Sequence, residues 1–300
     1  EKILNLNLEL LEADFQGHKE FLLDRDSSIN PYAASVISGD KYLAKTLMKQ
    51  AGFSVAEGRK FYPDEVDNAL IYAQQLSFPL VVKPNFGSHG NGVHMDLDNL
   101  CKVKEAIDSL DQNFIVEEQF EGKEHRVFID KNGNYAVLHR DPAHVIGDGE
   151  RTIEQLAKKE TERRMTPRKD CLCPIQLDNV VNNFLKRNGK DISYIPKLRE
   201  KIYLRHNSNV AAGAMCEDYT DKVHSSVIQI CKGVLEVFHG LPYAGIDFLT
   251  KDVAVQQTSE NYRITEVNSV PGIHMHMHPG KGKSRNVAKY IADLIFPETK

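Results

Sequence analysis

Little in this chain points to membranes, secretion or nucleic acid. No apolar stretch approaches the roughly 20 residues of a membrane-spanning helix. No signal-peptide pattern follows Glu1, so the chain as written is expected neither to span a membrane nor to be exported. Net charge is only −4, which removes any general attraction to nucleic acid or anionic lipid, although local Lys and Arg clusters can still hold phosphates. The cysteines, Cys101, Cys171, Cys173, Cys216 and Cys231, are odd in number and lack paired metal-finger spacing. Cys171 and Cys173 stand too close for a typical structural disulfide, and the set suits a reducing cytoplasm. No internal repeat or low-complexity segment occurs. No Gly-Lys-Ser/Thr opens a helix, which excludes a P-loop. What remains is an ordinary globular composition, 41% hydrophobic and 27% charged over 300 residues, enough for two or three lobes around a shared cleft.

Residues 1–36 pair the run ILNLNLELLEADF with a polar link ending near Asn30-Pro31, too short for an independent domain and expected as a cap or dimer arm. After Gly39, KYLAKTLMKQAGF has helical spacing and stops at Gly52. Further helices are expected over Asp64 to Leu76 and Leu100 to Leu110. Strands are expected over Leu80 to Lys83, Gly92 to Leu97, Phe114 to Phe120, His125 to Asp130 and Asn134 to Arg140, the last two joined by a turn at Asn132-Gly133. Between Gly147 and Ile202, IEQLAKKETERRM and NVVNNFLKRNG form a charged helical block that looks inserted. A periodic helix from Val223 to His239, a hairpin and a helix from Arg285 to Phe296 complete the chain. This order implies an α+β fold built on antiparallel sheets. It divides into an arm over 1–36, a small lobe over 37–115 and a large lobe over 116–297 with its insertion near 150–200.

The most informative stretch is VVKPNFGSHGNGV, Val81 to Val93. An apolar run delivers Lys83 to a loop holding Gly87, Gly90 and Gly92 with Ser88, His89 and Asn91 between them: a cation, permissive backbone N–H groups and small polar side chains, all suited to phosphate. A lysine after a buried run is costly unless an anion offsets it. Lys41, at a helix start, is ambiguous alone. Asp247 closes YAGID, while Glu266 and Asn268 in ITEVN share one strand face. Three such oxygens suit Mg²⁺ held against a polyphosphate, with Mn²⁺ able to substitute. Glu117, Glu118 and Glu124 fit either an acidic strand edge or a nucleoside rim. His274, His276 and His278 would share a face if extended. Pro279-Gly280 breaks that strand and no Cys or carboxylate completes a metal set, so they are read as pocket lining or packing. Arg126, Arg140 and Arg205 lie in or beside strands, as structural ion pairs or as forks for an anionic substrate.

Together these residues resemble the ATP-grasp superfamily, and specifically the ATP-grasp module of cyanophycin synthetases and of bifunctional glutathione synthetases. The resemblance is carried by GDKYLAK, KPNFGSHGNGV, AHVIGDGERTIEQL, YLRHNSNVAAGAMCEDYTDKVH and the tail GIHMHMHPGKGKSRNVAKYIADLIFP, from about Ile37 to Pro297. It implies an ATP-grasp fold, two lobes with antiparallel sheets clamping ATP. It implies Lys41 and Lys83 on the phosphates, with Lys83 also near adenine, beneath a flap formed by Gly87 to Gly92. Glu117, the Glu118, Gln119 and Phe120 backbone, and Glu124 would hold adenine and ribose. Asp247, Glu266 and Asn268 would bind two Mg²⁺ ions, and Arg205 would face the γ-phosphoryl group. Arg126, Arg140, Asn209, His276 and Lys281 remain as substrate contacts. The implied reaction joins a carboxylate, glutamate-like or γ-glutamyl as first choice, to an amino-acid amine through an acyl phosphate, releasing ADP and phosphate. A phosphotransferase or a non-catalytic ATP-binding subunit are the alternatives, and a homodimer is expected by analogy. Cyanophycin synthetases add a larger N-terminal domain and a Mur-ligase-like half, neither of which is in this sequence, so repeated two-step polymer synthesis is not expected. Val210-Ala211-Ala212-Gly213-Ala214 also replaces a hydroxyl- and glycine-rich stretch, so substrate identity does not transfer.

Overall fold

The computed structural model describes residues 2–87, 90–165 and 172–299; Ser88, His89 and Cys171 therefore lie outside the described residues. Four strands open the chain, β1 (Lys2–Asn5), β2 (Leu10–Phe15), β3 (His18–Leu23) and β4 (Asp26–Ser27), paired in sequence order as an antiparallel sheet. The expected arm is thus a sheet of its own. Gln16 and Gly17 both take positive φ, the geometry that tight two-residue hairpins require. Ala13, Phe15 and Leu22 seat the sheet on Ile295 and Phe296 near the C-terminus.

Helices α1 (Tyr32–Gly39) and α2 (Lys41–Gln50) follow, and Asp40 caps α2 by accepting from the Leu43 N–H. Ala34, Ala44 and Met48 pack into the core of the large sheet. The end of the 1–36 segment and the first helix of the 37–115 span therefore pack with the large lobe. The small sheet comprises β5 (Gly58–Phe61), β6 (Leu80–Pro84), β7 (His94–Leu97) and β8 (Phe114–Glu118), in the antiparallel order β5-β8-β6-β7. Helices α3 (Val66–Ala73) and α4 (Leu100–Asp108) cover one face of it. Strand alternation then decides what faces the cleft. Leu80 and Val82 join Phe114 and Val116 in the core, so Val81, Lys83 and Glu117 emerge on the other side.

The large sheet runs β13-β10-β9-β14-β15, all antiparallel. Its strands are β9 (Lys123–Asp130), β10 (Tyr135–Asp141), β13 (Met215–Asp218), β14 (Tyr243–Thr250) and β15 (Tyr262–Asn268). Helix α7 (Ser225–Val237), with α1 and α2, covers one face, and α9 (Val287–Ile295) packs on the other through Phe128, Tyr243 and Leu294. Between β10 and β13 lies the insertion, a two-stranded frame of β11 (His144–Ile146) and β12 (Lys201–Tyr203) carrying α5 (Ile153–Met165) and α6 (Asn179–Arg187). It has its own apolar core of Ile153, Leu156, Val181, Leu185 and Ile202. Residues His274–Met277 form one helical turn, α8, in place of an extended run.

Candidate active site

A cleft of about 1580 Å³ opens between the two sheets and is lined by both of them and by the loop following β12. On its floor, Asp247 and Glu266 sit directly opposite one another on β14 and β15. One step further the pairing is Phe248 with Ile264, so Thr265 is an extra residue and the strand bulges. A bulge re-aims the side chains that follow it. Arg263 before it, Thr265 within it, and Glu266 and Asn268 after it all reach the cleft, which unbroken alternation would not allow.

Against the small sheet, Glu117 is buried between two lysines. Lys83 Nζ lies 2.6 Å from one of its oxygens, and Lys45, buried on α2, donates to the other. Burial pushes the Glu117 carboxyl up, and the two ammonium groups more than reverse this, bringing it down to about 2. On Lys45 burial prevails over the pull of Glu117 and lowers its value. Glu117, expected at the nucleoside, is thus committed to holding the lysines in place. Lys41, one helical turn before Lys45, donates to the Gly87 carbonyl at 2.5 Å and stands 3.6 Å from Glu266, linking the glycine loop to the floor. Gly87 and Gly90 have φ of 130° and 72°, accessible chiefly to glycine.

The second network centres on Asp247. Arg126 grips it through Nε at 2.5 Å and Nη2 at 3.1 Å, and Arg140 approaches at 3.0 Å. Arg140 also pairs with Glu124, which accepts from Ser208. Burial would raise the Asp247 carboxyl, but the Arg126 and then the Arg140 charge hold it below the ordinary carboxylate range. Two expectations therefore change. The acidic floor balances its charge with arginines, and Arg126, Arg140 and Glu124 are tied to the floor before any ligand arrives. Arg205 donates through Nη2 to Asp178 at 2.8 Å and to the Gln176 carbonyl at 3.1 Å. The Nε atoms of Arg140 and Arg205 are buried without a partner among the described residues, which suits an anion entering the cleft.

A divalent cation fits this floor in a limited way. No group of three or more His, Cys, Asp or Glu among the described residues is arranged to hold one alone. Glu266 and the Asn268 amide supply hard oxygens, while both Asp247 oxygens are engaged by guanidinium. Lys and Arg lining the cleft are matched in number by Asp and Glu. A bound triphosphate would bring negative charge that this lining does not cancel, so a cation sharing phosphate oxygens with Glu266 and Asn268 is electrostatically apt.

Comparison with known proteins identifies the fold. Residues 40–147 match the family described as the carbamoyl-phosphate synthase L chain, ATP binding domain. The cyanophycin synthetase of Geminocystis herdmanii is 36% identical over 267 residues, covering 86% of this chain and 30% of that protein. The glutathione biosynthesis bifunctional protein GshAB of Clostridium perfringens is 30% identical over 278 residues, covering 90% of this chain and 35% of that protein. The crystal structure of a bifunctional glutathione synthetase from Pasteurella multocida superposes with a TM-score of 0.71 at 27% identity, covering 99% of this chain and 42% of that one. The chain belongs to the ATP-grasp family. It spans well under half the length of these relatives.

Within the ATP-grasp cleft, Lys41, Lys83, Gly87, Gly90, Asn91, Glu117 to Phe120, Glu124, Arg126, Arg140, Arg205, Asn209, Asp247, Glu266 and Asn268 come together. Three expected residues do not line it. Gly92 packs against Pro84 and Leu110, where a Cβ would sit 2.8 Å from the proline ring. Lys281 is an exposed partner of Glu217 at 3.1 Å. His276 is buried edge-on to Phe128, and burial brings its imidazole down to about 3. The helical turn explains this: His274 and His278, four apart, have ring centroids at 4.8 Å, while His276 points elsewhere. Lys45 was not singled out from sequence, although KYLAK places it one helical turn from Lys41. Asp178, which caps α6 while holding Arg205, carried an N-cap signal just before the NVVNNFLKR run. No helix among the described residues is long and apolar enough to cross a membrane.

Proposed function

We propose that this chain is an ATP-dependent carboxylate–amine ligase acting on amino-acid or small-peptide substrates. The observation that carries the reading is the convergence of Lys41, Lys83, the glycine loop, Glu266 and Asn268 in one cleft between two antiparallel sheets of an ATP-grasp protein. A carboxylate is a poor electrophile. Its oxygen attacks the γ-phosphorus of ATP, the bond to the β-phosphate oxygen breaks, and ADP leaves. The amine then attacks the acyl carbon, phosphate departs, and the amine proton is lost as the amide forms. Lys41 and Lys83 stabilise phosphate charge, Arg205 meets the transferring group, and the glycine loop excludes water from the acyl phosphate. Lys45 acts through Glu117, holding Lys83 in position. Glu266 and Asn268, with Asp247 behind them, would hold Mg²⁺, one ion or two, which when bound neutralises charge on the β- and γ-phosphate oxygens. The nucleobase falls beside Glu118 to Phe120.

The test assays free amino acids and γ-glutamyl peptides in pairs for ADP release, with mass detection of the product. Amine-dependent ADP release with a new amide is expected. ADP release that ignores the amine would indicate a phosphotransferase, and nucleotide binding without substrate-stimulated turnover would indicate a non-catalytic subunit.

A further inference from the structure

Strand β15 serves as a ruler along the cleft. At one end the Arg263 guanidinium lies 4.7 Å above the Phe120 ring, beside the segment assigned to the nucleobase. Midway, Glu266 stands 3.6 Å from Lys41 at the phosphate station. From Arg263 to Asn268 the strand advances roughly 16 Å. Beyond Asn268 the wall continues through Val270, Gly272 and Met275. A substrate reacting at the γ-phosphate must occupy this far end, because the base fills the other.

One cation is placed there by the N-terminal sheet. Arg25, in the turn between β3 and β4, lines the cleft, and its Nη1 would lie 3.8 Å from a Cβ on Gly272. Asn30 anchors the link from this sheet to the cleft wall by donating to the Tyr243 hydroxyl at 3.2 Å and to the Ser269 carbonyl at 3.4 Å. Most other cations of the cleft have a partner at their terminal nitrogens: Lys41 the Gly87 carbonyl, Lys83 Glu117, Arg126 and Arg140 Asp247, and Arg205 Asp178, although the buried Nε atoms of Arg140 and Arg205 stay open among the described residues. Lys201 pairs with Asp141, and Arg263 donates to the Ser259 and Tyr262 carbonyls. Lys123 stands toward the nucleobase end, where among the described residues only its backbone is paired, opposite Thr250 on β14. Arg25 is held only through Nε, by the exposed Asp24 at 3.1 Å, and its terminal nitrogens make no hydrogen bond to a described residue. Asp26 is occupied by the Ser27 N–H at 2.8 Å and the Asn30 amide at 2.6 Å.

We infer that Arg25 is a specificity residue that receives a second carboxylate of the substrate, so that the substrate bound beyond the γ-phosphate is an acidic amino acid or a peptide carrying one. This rests on the ligase reading above. A guanidinium fork selects a carboxylate over its amide isostere by charge as well as by geometry.

The test measures binding rather than turnover, by calorimetry on the full chain loaded with a non-hydrolysable ATP analogue and Mg²⁺. The probes are L-glutamate and L-aspartate against L-glutamine and L-asparagine, for the wild type, Arg25→Gln and Arg25→Lys. The wild type should prefer the acids, and Arg25→Gln should cut that preference by about tenfold or more. Arg25→Lys should keep part of it, and affinity for the analogue should be the same in all three. An Arg25→Gln protein that keeps the full preference overturns the inference, as does a wild type that binds the analogue and prefers neither acid. A wild type that binds no analogue overturns the ligase reading, and this inference falls with it.

Discussion

Glu117 is the side chain on which the nucleotide wall depends, because it neutralises two lysines that burial would otherwise penalise. Removing one partner of a buried pair leaves uncompensated charge, so Glu117→Ala should cost about 3–5 kcal/mol, read from denaturant midpoints. Its acid response has a defined sign. The folded carboxyl lies at about 2 against an ordinary 4.5, so its contribution is complete above pH 4.5 and is lost as pH falls toward 2. Glu117→Gln should flatten that part of the stability profile; an unchanged slope would show that Glu117 is not the titrating group. Asp247 and Glu266 should separate in a similar comparison. Asp247→Asn strips the counter-charge from Arg126 and Arg140, so both turnover and Tm should drop. Glu266→Gln, whose side chain is partly open to the cleft, should nearly abolish turnover while leaving Tm within about 2 °C, consistent with a loss under 1 kcal/mol. Equal Tm losses in the two variants would contradict this division of roles.

At the scale of elements, the proposed reaction requires the glycine loop to cover the phosphates, and Gly90 takes a φ of 72° there. Proline fixes φ near −65°, which Gly90 does not adopt, so Gly90→Pro should lower kcat and also lower Tm; normal kinetics would remove the flap from the mechanism. The strands around this loop were legible because LVVK and FIVEE are short apolar runs bounded by turn residues, and α2, α5 and α7 because their apolar residues recur at helical spacing. The N-terminal sheet was not legible as a sheet, since its alternating run supports several readings and its seat on Ile295 and Phe296 is a contact some 280 residues away. The bulge at Thr265 left no local signal, yet it brings Glu266 and Asn268 onto the cleft face. Asp247, Glu266 and Asn268 meet in one cleft, whereas the ion pairs of Arg126 and Arg140 with Asp247 leave no local signal, because pairing across β9 and β14 is set by sheet order. The His274 to His278 run misled in the opposite sense, since its alternation has meaning only in a strand.

Across the whole molecule, the cleft is assembled from distant parts of the chain: the small sheet, the large sheet, the loop after the insertion and a turn of the N-terminal sheet. Its matched acidic and basic side chains leave a triphosphate uncompensated, so chelating divalent cations should weaken ATP-analogue binding by at least about tenfold in calorimetry. Undiminished binding in chelator would show that Lys41, Lys83 and Arg205 suffice. The most direct measurement is a crystal structure of the chain with a non-hydrolysable ATP analogue and Mg²⁺. The account predicts the phosphates between Lys41, Lys83 and the Glu266–Asn268 edge, under the glycine loop, with the purine beside Glu118 to Phe120. An analogue bound elsewhere, or a cleft with no nucleotide density at saturating concentration, would contradict it.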